Sequence, residues 1–426
     1  MSNTDYESLI NGRTNKYETR FFHMYLKGDS PVLNGGLKAV SKRDHASFIH
    51  EYIHYLQQIT TPFGLKINWY FLNSLLLYRE YVDFNTTLSI PVPDEANKAE
   101  VEFRKELHAK AGSKFYQDSS VDEVNVNLTD IETARLNDTA VNIGVYDFTL
   151  QWALSDGFNF GYTCVMEGMA HLVQSLINSE LTHSEVPYQA AQLICNEIRP
   201  DIKENKKLLI SICYIALFFD NPGVAFFDIL RFVDKKEHGI SLFRRYMTQY
   251  TRTFDGEQLT HAKMMQILMD NFIERLEALL GYELVHLKDV IDNCKYEVMT
   301  GDSTLLRFIY ERDLSTLENL DELLDFYSYP AIDSADNDLV VPLGSNGKPL
   351  TETGILLSLE LIHARFKEEK GEKECIRFPI CDRQSRDKDI NLIDENCAGT
   401  QWDKKIHCLF TGAMNYWKLA DKTFIL

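Results

Sequence analysis

The sequence lacks a long apolar run. The longest, residues 208–219, is followed at once by Asp220-Asn221-Pro222-Gly223. It falls short of the roughly 20 residues that a bilayer-spanning helix needs, so no membrane segment is expected. The sequence also lacks a block of lysine and arginine. Its 44 basic residues face 63 acidic ones, a formal net charge of −19. Such a chain repels phosphate backbones, and no nucleic-acid partner is expected. Residues 1–17 are polar and carry no apolar signal core, so secretion is not expected. Eight cysteines in that setting read as reduced thiols of a cytoplasmic protein. No internal repeat and no low-complexity tract interrupts the chain. What is present is an ordinary globular mix, 45% hydrophobic and 12% aromatic over 426 residues, which excludes a disordered chain and allows more than one core.

Residues 17–27 are rich in aromatics and read as a strand. Ser41 and Asp44 offer helix caps, and residues 44–59 then carry Phe48, Ile49, Ile53 and Leu56 at helical spacing. Thr61-Pro62-Phe63-Gly64 stops that helix, and residues 65–84 resume a second one. Residues 91–140 are polar and charged. Alternating patterns at 123–128 and 140–152 predict strands, and residues 162–178 return to helical spacing. The stretch 186–330 reads as a series of amphipathic helices, at 187–199, 205–219, 222–234, 240–252, 260–280, 283–298 and 315–327. A loop-rich break at 328–350 holds Pro330, Pro342, Gly344, Gly347 and Pro349. A helix near 351–369 and a cysteine-containing tail follow. The expected fold class is α+β, predominantly helical, in three regions: 1–185 with a small sheet, 186–330 helical, and 331–426.

His50-Glu51-Tyr52-Ile53-His54 is an HExxH motif inside the first expected helix. Residues four apart lie one above the other on a helix face, so both imidazoles can bind one zinc ion. Glu51, beside the first histidine, can take a proton from an attacking water and pass it to a leaving amine. The motif is short enough to arise by chance, as a polar helix face with incidental histidines. A chance match would also have to land on a well-patterned helix. A catalytic zinc wants a third protein ligand. Glu167, in Met166-Glu167-Gly168-Met169-Ala170-His171, is the best placed in sequence, with His171 as the alternative and an ordinary Glu–His surface pair as the plain reading.

These residues resemble the zincin metallopeptidases, and more narrowly the gluzincins, in which an HExxH helix supplies two histidines and a downstream helix supplies a glutamate. The resemblance implies His50 and His54 as ligands, Glu51 as general base, Glu167 as third ligand and residues 1–185 as a zincin-like catalytic region. In thermolysin-like members the glutamate lies in Asn-Glu-x-x-x-Asp, whose aspartate hydrogen-bonds a zinc-binding histidine. Here Met166 replaces the asparagine and His171 the aspartate, which leaves His171 as a residue behind the ligands or as a donor to the transition state. The gap from His54 to Glu167 is longer than in those enzymes. Only 49 residues precede His50, so the strands at 123–128 and 140–152 would have to complete the sheet. Tyr162 is a second transition-state candidate.

Two competing readings use the same chain. Glu-x-x-His patterns at Glu51/His54, Glu180/His183 and Glu283/His286 would suit a di-iron carboxylate oxidoreductase. A zincin-derived binding module without activity is the other. Cys375, Cys381, Cys397 and Cys408, with His407, could close a structural zinc site, although the spacing departs from that of zinc ribbons. Cys164, Cys195 and Cys213 read as small core residues. His23 reads as a strand residue and His45 as a solvated helix-start residue. The aromatic run 214–232 reads as core. The expected substrate is a protein or peptide, with a basic segment favoured by the acidic charge, and the unassigned length leaves room for a regulatory protein partner.

Overall fold

The structure, a computed structural model, describes residues 15–18, 22–33, 36–89, 92, 94–113, 121, 123–146, 154–254, 256–334, 339–343, 350–367, 378, 381–382, 385, 393–398 and 408–425. In chain order the elements that matter here begin with β1 (Lys16–Glu18) and β2 (His23–Tyr25). Two long helices follow, α1 (Lys42–Thr60) and α2 (Pro62–Phe84), then α3 (Asp94–Ala111). Next come β3 (Glu123–Asn125), α4 (Leu128–Asn137), β4 (Val141–Tyr146) and β5 (Leu154–Phe160). The helical remainder is α5 (Tyr162–Ile177), α6 (Ala190–Ile198), α7 (Lys206–Ala216), α8 (Pro222–Phe232), α9 (Gly239–Thr248), α10 (His261–Leu280), α11 (Val285–Thr300), α12 (Thr304–Glu311) and α13 (Leu317–Tyr327). Strands β6 (Ala331–Asp333) and β7 (Leu339–Val340) precede α14 (Thr351–Lys367). The chain is thus predominantly helical with small sheets. No helix among the described residues is long and apolar enough to cross a membrane.

Residues 17–27 form a hairpin rather than one strand: β1 and β2 pair antiparallel, and Phe22 turns the chain at φ 52°. β2 then pairs in parallel with β6, and β6 antiparallel with β7, giving a sheet ordered β1-β2-β6-β7. The chain after residue 330 therefore returns to the N-terminal strands. A second sheet, β3-β4-β5, is antiparallel throughout. Of the strand expected at 140–152, residues 141–146 form β4 and 147–152 lie outside the described residues; β5 follows beyond it, and the polar stretch before it holds the helices α3 and α4. Their charged faces hid them: in α3 the apolar contacts are few, Phe103 stacked on Tyr70 among them, and lie beside salt links such as Lys110–Glu106. The helix expected at 240–252 ends at Thr248 and gives way to the hairpin Thr251–Phe254/Glu257–Thr260.

α1 is the central element. Ser41 caps it, accepting from the Asp44 amide at 3.1 Å, and from His45 to Thr60 every residue except Ser47 is buried. The helix is enclosed on nearly every side. It packs along α5 and α2, touches β1 and meets α11. Its tyrosines fix it from behind. The Tyr52 hydroxyl donates to the Ser328 carbonyl at 2.8 Å, and the Tyr55 hydroxyl to the Tyr327 carbonyl at 2.9 Å. These bonds satisfy two phenols that burial would otherwise strand. His45 is buried, not solvated, and its Nε2 bonds the Leu314 carbonyl at 2.7 Å. His23 is fully buried between Glu360 and Asp333, each at 3.0 Å from a ring nitrogen.

The turn from α1 to α2 is tight. The Thr61 hydroxyl donates to the Gln57 carbonyl at 2.6 Å and accepts from the Gly64 amide at 3.1 Å. A Cβ on Gly64 would lie 2.4 Å from the Gln57 carbonyl oxygen and 2.5 Å from the Gln58 Cα. Backbone offers no escape at that distance. Gly64→Ala is expected to lower stability by about 3 kcal/mol, read as a fall in the urea midpoint. An unchanged midpoint would contradict the close approach. Most of the aromatic run 214–232 is core as expected: Tyr214, Phe218, Phe226 and Phe227 are at most 1% exposed. Phe232 is the exception and stands in solvent.

Candidate metal centre

α1 and α5 lie side by side and bring the HExxH residues against Glu167. His50 Nε2 is 3.3 Å from Glu167 Oε2, and His54 Nε2 is 3.2 Å from the same oxygen. The three side chains each offer one ligand atom, all within 4.8 Å of one another. They are the only group of three or more ligating side chains found among the described residues. Four ligands at about 2.0–2.2 Å from one ion stand about 3.3–3.6 Å apart along the edges of a tetrahedron. The observed separations are close to that edge length. Two imidazole nitrogens and one carboxylate oxygen are also a donor set that suits a divalent ion of borderline softness. On both counts the residues fit a metal ion with a fourth position left open.

The electrostatics show what holds the cluster together without a metal. Burial alone would lower the His54 pKa. The charge and hydrogen bond of Glu167, then Glu51, overcome that and raise it to about 9. Burial would raise Glu167, but His54 and then His50 hold its carboxyl well below the usual carboxylate range. His54 and Glu167 thus each favour the charged form of the other. Glu51 differs from Glu167. Burial raises its pKa, Glu167 adds to the rise, and His50 and His54 oppose it. A carboxyl shifted upward beside two histidines is a candidate proton acceptor and donor.

A second wall faces the same cluster. Residues 185–189 form a single π-type turn before α6, with a cis peptide bond between Val186 and Pro187. Gly168 on α5 lets this segment come close, since a Cβ there would sit 3.2 Å from the Ala191 Cβ. The segment brings Tyr188 to His50 at 5.8 Å between ring centroids, and His183 stacks on both His50 at 5.6 Å and Tyr188 at 4.6 Å. His171 joins edge-on, 5.2 Å from His183. Burial, then the neighbouring His183 and His50, lowers His171 to about 4, and burial then His50 also lowers His183. Burial raises the Tyr188 phenol, and the charges of Glu167 and Glu51 add to it. The wall is therefore made of neutral groups, with a protonated phenol close enough to feel both carboxylates. Sequence reading missed His183 and Tyr188 as neighbours of the motif.

The other candidates fall as follows. Tyr162 packs on Phe63, 4.9 Å between centroids, at the start of α5. Glu180 is exposed. Glu283 is exposed, and His286 bonds the Ser328 hydroxyl at 2.8 Å, beside the carbonyl that Tyr52 reaches. His183 thus lies against His50, but Glu180, Glu283 and His286 are not part of the ligand cluster among the described residues. Cys375 and His407 lie outside the described residues. Among the described residues, Cys381, Cys397 and Cys408 enter no metal-type cluster, and Cys408 Sγ lies 3.3 Å from the Thr411 hydroxyl. Cys164, Cys195 and Cys213 are buried in the core as expected. No family model matches this chain, and neither does any curated protein or solved structure.

Proposed function

We propose that the chain is a zinc-dependent peptidase of zincin-like, gluzincin-type design, acting on a protein or peptide in the cytoplasm. The observation that carries this reading is the convergence of His50 Nε2 and His54 Nε2 on Glu167 Oε2, at 3.3 and 3.2 Å and all within 4.8 Å of one another, with Glu51 between the two histidines on the same buried helix. His50, His54 and Glu167 would hold the ion. When bound, zinc supplies a lowered pKa for water and polarises the substrate carbonyl. Glu51 takes the proton from the attacking water, and its raised pKa lets it keep that proton until it hands it to the leaving nitrogen. The Tyr188 phenol donates to the oxygen that becomes negative as the carbonyl turns tetrahedral. The neutral imidazoles of His171 and His183 limit water on that side without adding charge.

The net charge of −19 selects the first substrate to try, an unfolded basic polypeptide. The zinc-loaded chain is expected to fragment such a polypeptide faster than an acidic one of equal length. A chelator should stop the reaction and added zinc restore it. Fully zinc-loaded protein that yields no new termini, as read by mass spectrometry, would contradict the peptidase reading. The length beyond the site leaves room for a regulatory partner. Tyr188→Phe keeps the ring packing on His183 and removes only the donor. It is expected to lower kcat by about 100-fold with KM little changed. An unchanged kcat would remove Tyr188 from the mechanism.

A further inference from the structure

We infer that Gln57 is the positioning residue of this centre: it fixes the ring of His54 with Nε2 open to the metal and ties it to the strand of backbone that carries Glu167. The inference rests on the reading of the cluster as a metal site. Gln57 is fully buried on α1, one turn beyond His54. Its Oε1 lies 2.9 Å from His54 Nδ1, and its Nε2 donates to the Met166 carbonyl at 3.0 Å.

The orientation follows by elimination. A backbone carbonyl can only accept, so the amide end that faces Met166 must be the NH2. The other end, facing His54, must then be the oxygen, which can only accept. His54 Nδ1 must therefore carry a hydrogen and donate it. In the neutral ring that leaves the lone pair on Nε2, the nitrogen 3.2 Å from Glu167 Oε2. One side chain thereby sets the tautomer and rotation of one ligand. Through Met166 it also sets the backbone position of the next residue, Glu167, on the neighbouring helix. Because Gln57 is fully buried, water does not compete for either bond.

His50 has no such support, since its Nδ1 is buried without a hydrogen-bond partner. The support is therefore asymmetric: His54 is held by a hydrogen bond at Nδ1, His50 by packing against His183 and Tyr188. His171, at the position expected to act behind the ligands, lies among His183 and Tyr188, and His54 Nδ1 is already taken.

The test uses the full chain, zinc and a competing chelator of known affinity. Gln57→Leu keeps the volume and removes both bonds, and it is expected to weaken zinc binding by about 10–100-fold. Gln57→Glu keeps an acceptor for His54 but loses the donor to the Met166 carbonyl, so it should recover only part of that loss. Cobalt-substituted protein should show shifted visible bands in Gln57→Leu and intermediate bands in Gln57→Glu. Gln58→Leu, at an equally buried neighbour that faces Tyr17 and Asn68, should destabilise the fold yet leave zinc affinity unchanged. Should Gln57→Leu fail to fold, the zinc-loaded wild-type chain still decides the matter: a slowly exchanging His54 Nδ1 proton in 15N-histidine spectra supports the inference, and its absence overturns it. Native zinc affinity in Gln57→Leu also overturns it while leaving the metal site standing. A wild-type chain that binds no zinc would instead remove the proposed function itself.

Discussion

Glu51→Gln is expected to lose about 100- to 10,000-fold of hydrolytic rate and to keep its zinc. The substitution exchanges one oxygen for an amide of the same shape. The packing of α1, buried from His45 to Thr60 apart from Ser47, should not change. Glu51 lies beside His50 and His54 but outside the trio of ligand atoms, so the ion should stay. What is lost is a proton acceptor whose pKa burial has raised. Peptide cleavage and zinc content are measured on the same sample. Cleavage at the wild-type rate would remove Glu51 from the chemistry. Loss of zinc along with activity would make it a structural support of the site instead.

The second large effect is expected at Glu167. Its Oε2 is the atom that both histidine nitrogens face, at 3.3 and 3.2 Å. Its side chain is 26% exposed, so truncation should not empty a sealed core. Glu167→Ala is expected to weaken zinc binding by more than the roughly 10–100-fold that loss of an outer hydrogen-bond partner costs. The three side chains meet only in the folded chain, so the thermal stabilisation on adding metal should vanish as well. At a zinc concentration 100 times Kd that stabilisation is about 2.7 kcal/mol. The measurement is Tm with and without zinc for both proteins. Equal shifts in wild type and variant would exclude Glu167 as a ligand.

The part of the site that was legible in the sequence is the part encoded by helical spacing. His50 and His54 are four apart on one turn, and the helix that carries them was visible from Phe48, Ile49, Ile53 and Leu56. Glu167 was visible because it lies inside a second expected helix, four residues before His171 and beside the small residues Gly168 and Ala170. His183 and Tyr188 were not legible as neighbours of His50. They come from an irregular turn that folds back onto α5, and no periodicity records such a return. Gln57 was passed over because a glutamine on an apolar-patterned helix gives no sign of which end faces what. The packing of α5 supplies that, through the Met166 carbonyl.

The same distinction holds for the fold. Helices with an apolar stripe, such as α10 and α11, lie close to their expected bounds. α3 and α4 were hidden by charge, since neither shows a strong apolar face in sequence. The sheet β1-β2-β6-β7 joins strands about three hundred residues apart, and His23 meets Asp333 and Glu360 across it. Pairings of that separation leave no local signal, because each strand is only two or three residues long.

The central claim is that one zinc ion is held by His50, His54 and Glu167. The direct measurement is elemental analysis of the purified chain after a wash with a weak chelator, with His54→Ala treated in parallel. One zinc per wild-type chain, lost in His54→Ala, is the expected result. No zinc in the wild type after saturation and wash, two irons per chain, or a zinc content untouched by His54→Ala would contradict the claim.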